Sequence, residues 1–172
     1  MDLLIALGQT PISLMMANSA WVVPTMQSIH IICVTIASMS VLIICLRVLG
    51  VAWQGVSLRQ TVARFAPWAW VALILLTLTG IVLIFAEPPR EIMALSMWIK
   101  MALLAVLIAV AVRFLRLVRN SPAFAAPEVN PDGALRRRAV FTLCLVVAII
   151  FLGRFIAYDA LIWGRLSPVG QF

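Results

Sequence analysis

The sequence predicts an all-α integral membrane four-helix bundle, preceded by short interfacial helix segments. Three observations carry that expectation. The chain is 65% hydrophobic and only 11% charged, too apolar for a water-soluble domain. Four apolar stretches of about 20 residues are each long enough to cross a bilayer. The basic residues gather in alternate connections, as orientation by positive charge requires. The net charge of +7 therefore belongs to the flanks of apolar spans and does not point to nucleic acid.

Residues 1–20 form the first segment. Gly8 and Pro11 interrupt it too often for a span, so it is expected to lie on the membrane surface. It begins Met1-Asp2-Leu3 with no basic stretch, so the first span is expected to act as its own uncleaved signal. Residues 21–172 are expected to hold the bundle. The first helix is predicted over 21–49, entered through Pro24 and closed by Gly50. The second is predicted over 67–86, started by Pro67 and stopped by Pro88-Pro89. The third is predicted over 91–118 and the fourth over 138–163. Between these two, Asn130-Pro131-Asp132-Gly133 marks a turn.

Arg47, Arg59 and Arg64 flank the first connection, and Arg113, Arg116, Arg119, Arg136, Arg137 and Arg138 flank the third. The second carries Glu87, Arg90 and Glu91. The expected placement is the bacterial inner (cytoplasmic) membrane, multi-pass, with both termini periplasmic.

Three ionisable residues interrupt the apolar spans: His30, Lys100 and Arg154. His30 lies nine residues after Trp21, Lys100 nine after Glu91, and Arg154 nine before Trp163. At 1.5 Å per residue each sits roughly 13 Å below one membrane face. Charges at that depth are costly and mark functional sites by default. Met26 and Cys33 share the helical face of His30. Met93, Met97 and Lys100 form a second stripe, with Met101 beside it. Arg154 and Tyr158 form a third, and Thr77, Gly80 and Glu87 a fourth. If the stripes converge, they line an outward-opening cavity, which Trp21, Trp98 and Tyr158 wall or anchor.

Four readings of that cavity stay open. A quinone would take donors from His30, Lys100, Arg154 and Tyr158, with His30 exchanging a proton. Haem b would take His30 as axial ligand and the two cations on its propionates. The chain has one histidine, so Met97, Met101, a second copy or a partner would supply the other ligand. Copper would use the soft donors Met26 and Cys33 at this site, with Met15, Met16, Met93, Met97 and Met101 also towards the outer side. It ranks below quinone or haem, because two fixed cations repel a metal ion and methionine also fills cores. A structural clasp would pair Lys100 and Arg154 with Glu87, Glu91 or Asp159, with no ligand. The first two readings make the chain a membrane subunit of a redox complex, with other membrane subunits or a second copy as partners beside the bilayer.

No nucleophile elbow, zinc-protease motif or phosphate loop occurs, so catalysis by this chain alone is not expected. Cys33, Cys45 and Cys144 are three cysteines within spans and lack a CxxC spacing, which points to inert thiols.

The spaced pattern Trp21-Val22-Val23-Pro24, Ser28-Ile29-His30, Leu46-Arg47-Val48-Leu49-Gly50, Pro67, Thr79-Gly80 and Trp98-Ile99-Lys100 resembles an uncharacterised family of small bacterial four-helix membrane proteins. More distantly it resembles membrane proteins of the copper-resistance D type, which also place a histidine early in one helix and a lysine early in another. The resemblance covers about 21–117, with Gly153-Arg154 and Tyr158 added by the last helix. It implies the fold and singles out the histidine and the lysine, but brings no activity. The pattern often has an aspartate before the Leu-Arg pair, where this chain has Cys45, so any role of that acid is not carried over.

Overall fold

A computed structural model describes residues 9–86, 88–125, 131–155 and 158–163. Its helices are α1 (Pro11–Asn18), α2 (Val22–Leu49), α3 (Leu58–Ala86), α4 (Pro88–Met93), α5 (Leu95–Asn120), α6 (Pro122–Ala125), α7 (Gly133–Phe155) and α8 (Asp159–Trp163). No strand occurs among the described residues. Four of the helices, α2, α3, α5 and α7, are long and apolar enough to cross a membrane. Much of their exposed surface is aliphatic or aromatic, including Ile31, Ile32, Val71, Ile74, Leu78, Val147 and Phe151. Such a surface belongs in lipid and not in water. The chain is an all-α, multi-pass membrane protein.

Local chemistry explains where the helices end. Gly50 has φ +74, a left-handed conformation that glycine adopts without steric cost. Its N–H donates to the Arg47 carbonyl and the Val51 N–H donates to the Leu46 carbonyl, the paired bonds of a Schellman cap. The Arg47 guanidinium folds back and donates from Nε to the Val56 carbonyl at 2.6 Å. The Gln54 amide also bonds the Gly50 carbonyl.

Helix α3 starts nine residues before Pro67, contrary to the start expected at that proline. Ser57 and Gln60 form a reciprocal capping box: the Gln60 N–H donates to Ser57 Oγ, and the Ser57 N–H donates to Gln60 Oε1. The helix runs through Pro67. Proline there removes one N–H, a loss that membrane helices tolerate where neighbouring groups adjust.

The third and fourth spans also differ from expectation. Pro88 begins the short α4, and Ala94 separates it from α5. The Ile92 carbonyl freed near that break accepts the Trp98 indole N–H at 2.9 Å. Helix α7 begins at Gly133, where Asp132 caps it by accepting the Leu135 N–H at 2.8 Å. Trp163 lies on the separate α8. The nine-residue spacings from Glu91 to Lys100 and from Arg154 to Trp163 therefore do not run along single helices.

Two compact units divide the chain, and each draws on all four long helices. The first unit comprises Met1–Val34, Leu73–Met101 and Ile150–Phe172. The second comprises Thr35–Ala72 and Ala102–Ile149. The second has a continuous core of Ile44, Cys45, Val48, Leu58, Val62, Ala66, Phe114, Val118, Ala123, Leu135 and Ala139. Cys45 and Val48 are fully buried there, so Cys45 serves as a core residue.

Candidate functional site

The first unit gathers polar residues from all four long helices. His30 lies on α2 and is half-buried. Its Nδ1 is 2.8 Å from Thr79 Oγ1 on α3. Thr79 is itself buried, and its hydroxyl donates to the Leu75 carbonyl at 2.8 Å, with the Leu76 carbonyl at 3.2 Å. A hydroxyl has one proton to give. With that proton held by the helix backbone, Thr79 Oγ1 acts as acceptor and His30 Nδ1 as donor. This assignment follows from the hydrogen-bond network. It places the imidazole in its Nδ1–H form and leaves the Nε2 lone pair for another partner.

Gly80, the next residue on α3, makes room for the ring. A Cβ at that position would lie 3.7 Å from His30 Cε1, so the imidazole packs over a glycine. Across the unit, Gly153 of α7 plays the same part for Lys100 of α5. A Cβ there would lie 3.7 Å from the Lys100 Nζ.

The remaining residues divide. Cys33 is buried, one turn beyond His30, and Met26 is half-buried, one turn before it. Met97 is half-buried on α5. Trp98 is exposed and tied to the Ile92 carbonyl. Arg154 is exposed, with its guanidinium 5.9 Å from the centre of the exposed Tyr158 ring, a cation–π contact. The structure thus packs His30 with Thr79 and Gly80, sets Lys100 against Gly153 in the same unit, and pairs Arg154 with Tyr158. Glu87 and the side chains of Glu91 and Asp159, the acids expected to pair with the cations, lie outside the described residues.

Thr79 was not expected to bond His30. The expected stripe on that helix ran through Thr77, which is exposed and donates to the Leu73 carbonyl of its own helix. Another unforeseen tie joins Trp163 of α8 to the fully buried Ser96 of α5, whose hydroxyl accepts the indole N–H at 2.8 Å. Both pairs are far apart in sequence, and helical periodicity does not fix which residues meet across helices.

Residues 59–156 match the family model of copper resistance protein D, more than half of the chain. The chain belongs to the copper resistance protein D family. Thr79, Gly80, Lys100 and Gly153 lie inside the matched stretch, whereas Met26, His30 and Cys33 precede it. No curated protein and no solved structure matches the chain. Among the described residues of this copper resistance D family member, no group of three or more His, Cys, Asp and Glu side chains is placed to hold a metal ion.

Proposed function

We propose that this protein handles copper within the membrane, with His30 as the principal ligand and copper as the transported or transferred substrate. The observation that carries the reading is the hydrogen bond between His30 Nδ1 and Thr79. It orients the imidazole and leaves Nε2 as a donor atom, as the hydrogen bond to the other ring nitrogen does in metal-ligating histidines. Met26 and Cys33 share the face of His30 and supply the sulfur that Cu(I) favours. Membership of a copper-resistance family reverses the ranking drawn from sequence, in which copper stood below quinone and haem. Lys100 is consistent with transfer. A fixed cation in the unit that holds the site weakens the retention of a copper ion, and a site that passes ions on must let them leave.

The chain is proposed to sit in a bacterial inner membrane with both termini periplasmic, residues 1–20 on the outer surface, and residues 21–172 forming the bundle. Other membrane subunits or a second copy are the proposed protein partners. The test is cellular copper content in a host expressing the protein. Wild type should change the copper content of the cell relative to an empty vector, and His30→Ala should abolish the change. Equal copper in all three strains would overturn the reading.

A second reading has one observation in its favour. Lys100 and His30 lie in the same unit, which suits carbonyl oxygens of a quinone as well as a metal. It predicts co-purified quinone that is lost in Lys100→Met. A haem variant of that reading predicts a sharp α band in a reduced minus oxidised spectrum.

A further inference from the structure

The basic residues are not spread along the chain. The two stretches of the second unit, Thr35–Ala72 and Ala102–Ile149, carry nine arginines against two carboxylates, Glu128 and Asp132. That difference equals the whole net charge of +7. The first unit holds four basic and four acidic residues.

The fold brings these arginines together. Val48 follows Arg47, Leu58 and Val62 flank Arg59, Phe114 and Val118 lie among Arg113, Arg116 and Arg119, and Leu135 and Ala139 bracket Arg136, Arg137 and Arg138. All of those apolar residues meet in one buried core, and every one of the nine arginines stands within two residues of it along the chain. Eight of the nine are exposed, and only Arg47 is buried. None forms an ion pair among the described residues. Asp132 is engaged as the α7 cap. The arginines also stand where the apolar spans end, at the depth of a headgroup layer.

An aromatic group lies among them. Trp53 is half exposed and holds a left-handed backbone conformation, φ 55, that non-glycine residues seldom adopt. Its ring packs edge-on against Phe65, with centroids 6.4 Å apart, and Arg64 lies over Phe65 at 5.9 Å. Tryptophan at such a level sits in the headgroup region.

We propose that this arginine cluster is a binding surface for anionic phospholipid headgroups. Orienting a span takes only a modest basic excess, whereas eight exposed guanidinium groups around one core form a multivalent phosphate surface. Arginine engages phosphate oxygens through two parallel N–H donors.

The experiment is native mass spectrometry of the full chain in detergent, titrated with phosphatidylglycerol or phosphatidylcholine of identical acyl chains. Detergent removes the complication that fewer arginines could invert membrane orientation. Phosphatidylglycerol is expected to bind at least tenfold more tightly than phosphatidylcholine, with the preference shrinking as salt rises. Arg136→Gln, Arg137→Gln and Arg138→Gln combined should weaken phosphatidylglycerol binding roughly a hundredfold, about fivefold per charge. The same three positions changed to lysine should keep most of the preference, and this variant serves if the glutamine form does not fold. Equal binding of the two lipids would overturn the proposal. So would a glutamine triple variant that binds like wild type, or displacement of the lipid by millimolar inorganic phosphate.

Discussion

Thr79→Val removes the hydroxyl that fixes His30 while keeping side-chain volume. Thr79 is buried and accepts the Nδ1–H of His30 at 2.8 Å. The direct loss is one hydrogen bond, about 0.5–1.5 kcal/mol. Interhelical bonds of this kind in membrane proteins average nearer 0.6 kcal/mol. Leaving the Nδ1–H without a partner adds desolvation, so the expected destabilisation is about 1–2 kcal/mol. The larger consequence is chemical. With the acceptor gone, the Nδ1–H form loses roughly fivefold of its advantage, and protonated Nε2 cannot ligate copper. The chain has one histidine, so the nitrogen spectrum of histidine-labelled protein reports one imidazole without assignment. Wild type and Thr79→Ser should show protonated Nδ1 and free Nε2. Thr79→Val should shift toward protonated Nε2, lower the unfolding midpoint and weaken Cu(I) binding together. A wild-type spectrum with protonated Nε2 and free Nδ1 would refute the reasoning, as would an unchanged spectrum in the valine variant.

Other substitutions test separate parts of the account. Gly80→Ala places a methyl at ordinary contact distance, 3.7 Å from His30 Cε1, and should leave stability within about 1 kcal/mol. Gly80→Leu fills the space of the ring and should displace His30, with copper binding lost before the helix content changes in circular dichroism. Leu58→Ala opens the second unit's core at a position only 1% exposed and should cost about 2–5 kcal/mol in denaturant titration, with the copper affinity of the folded fraction unchanged. Lys100→Met removes a cation from the unit that holds His30 and should tighten Cu(I) binding severalfold in competition titrations. Weaker binding in that variant would make the lysine a supporting group and not a repelling one.

Much of the fold was legible in the sequence because lipid leaves little choice. Four long apolar stretches must be helices, and Gly50 closes the first of them as expected. The ends are less legible where a proline suggests a boundary. Pro67 lies inside α3, and the actual start is encoded by Ser57 and Gln60, a spacing that names a capping box once noticed. Ala94, which separates α4 from α5, carries no local breaker signal. Its support comes from an indole on the following turn.

The site was legible only in part. His30 and Lys100 stand out because an ionisable group in an apolar span is costly, and the structure places both in one unit. Arg154 is costly in a span for the same reason, yet it is exposed and turned to Tyr158. The partners that position the two central residues, Thr79, Gly80 and Gly153, are small or weakly polar. A threonine bonded to its own helix looks the same in sequence whether or not a histidine from another helix meets it. Helix rotation decides that, and rotation is set by packing across the bundle and not by period.

The most direct test of the central claim is a Cu(I) titration of the purified full chain against a chromophoric chelator, with wild type and His30→Ala side by side. The account predicts a saturable site in wild type at one equivalent, and at least a tenfold loss of affinity in His30→Ala at unchanged helix content. Equal affinities in the two proteins, or no saturable site in wild type, would contradict it.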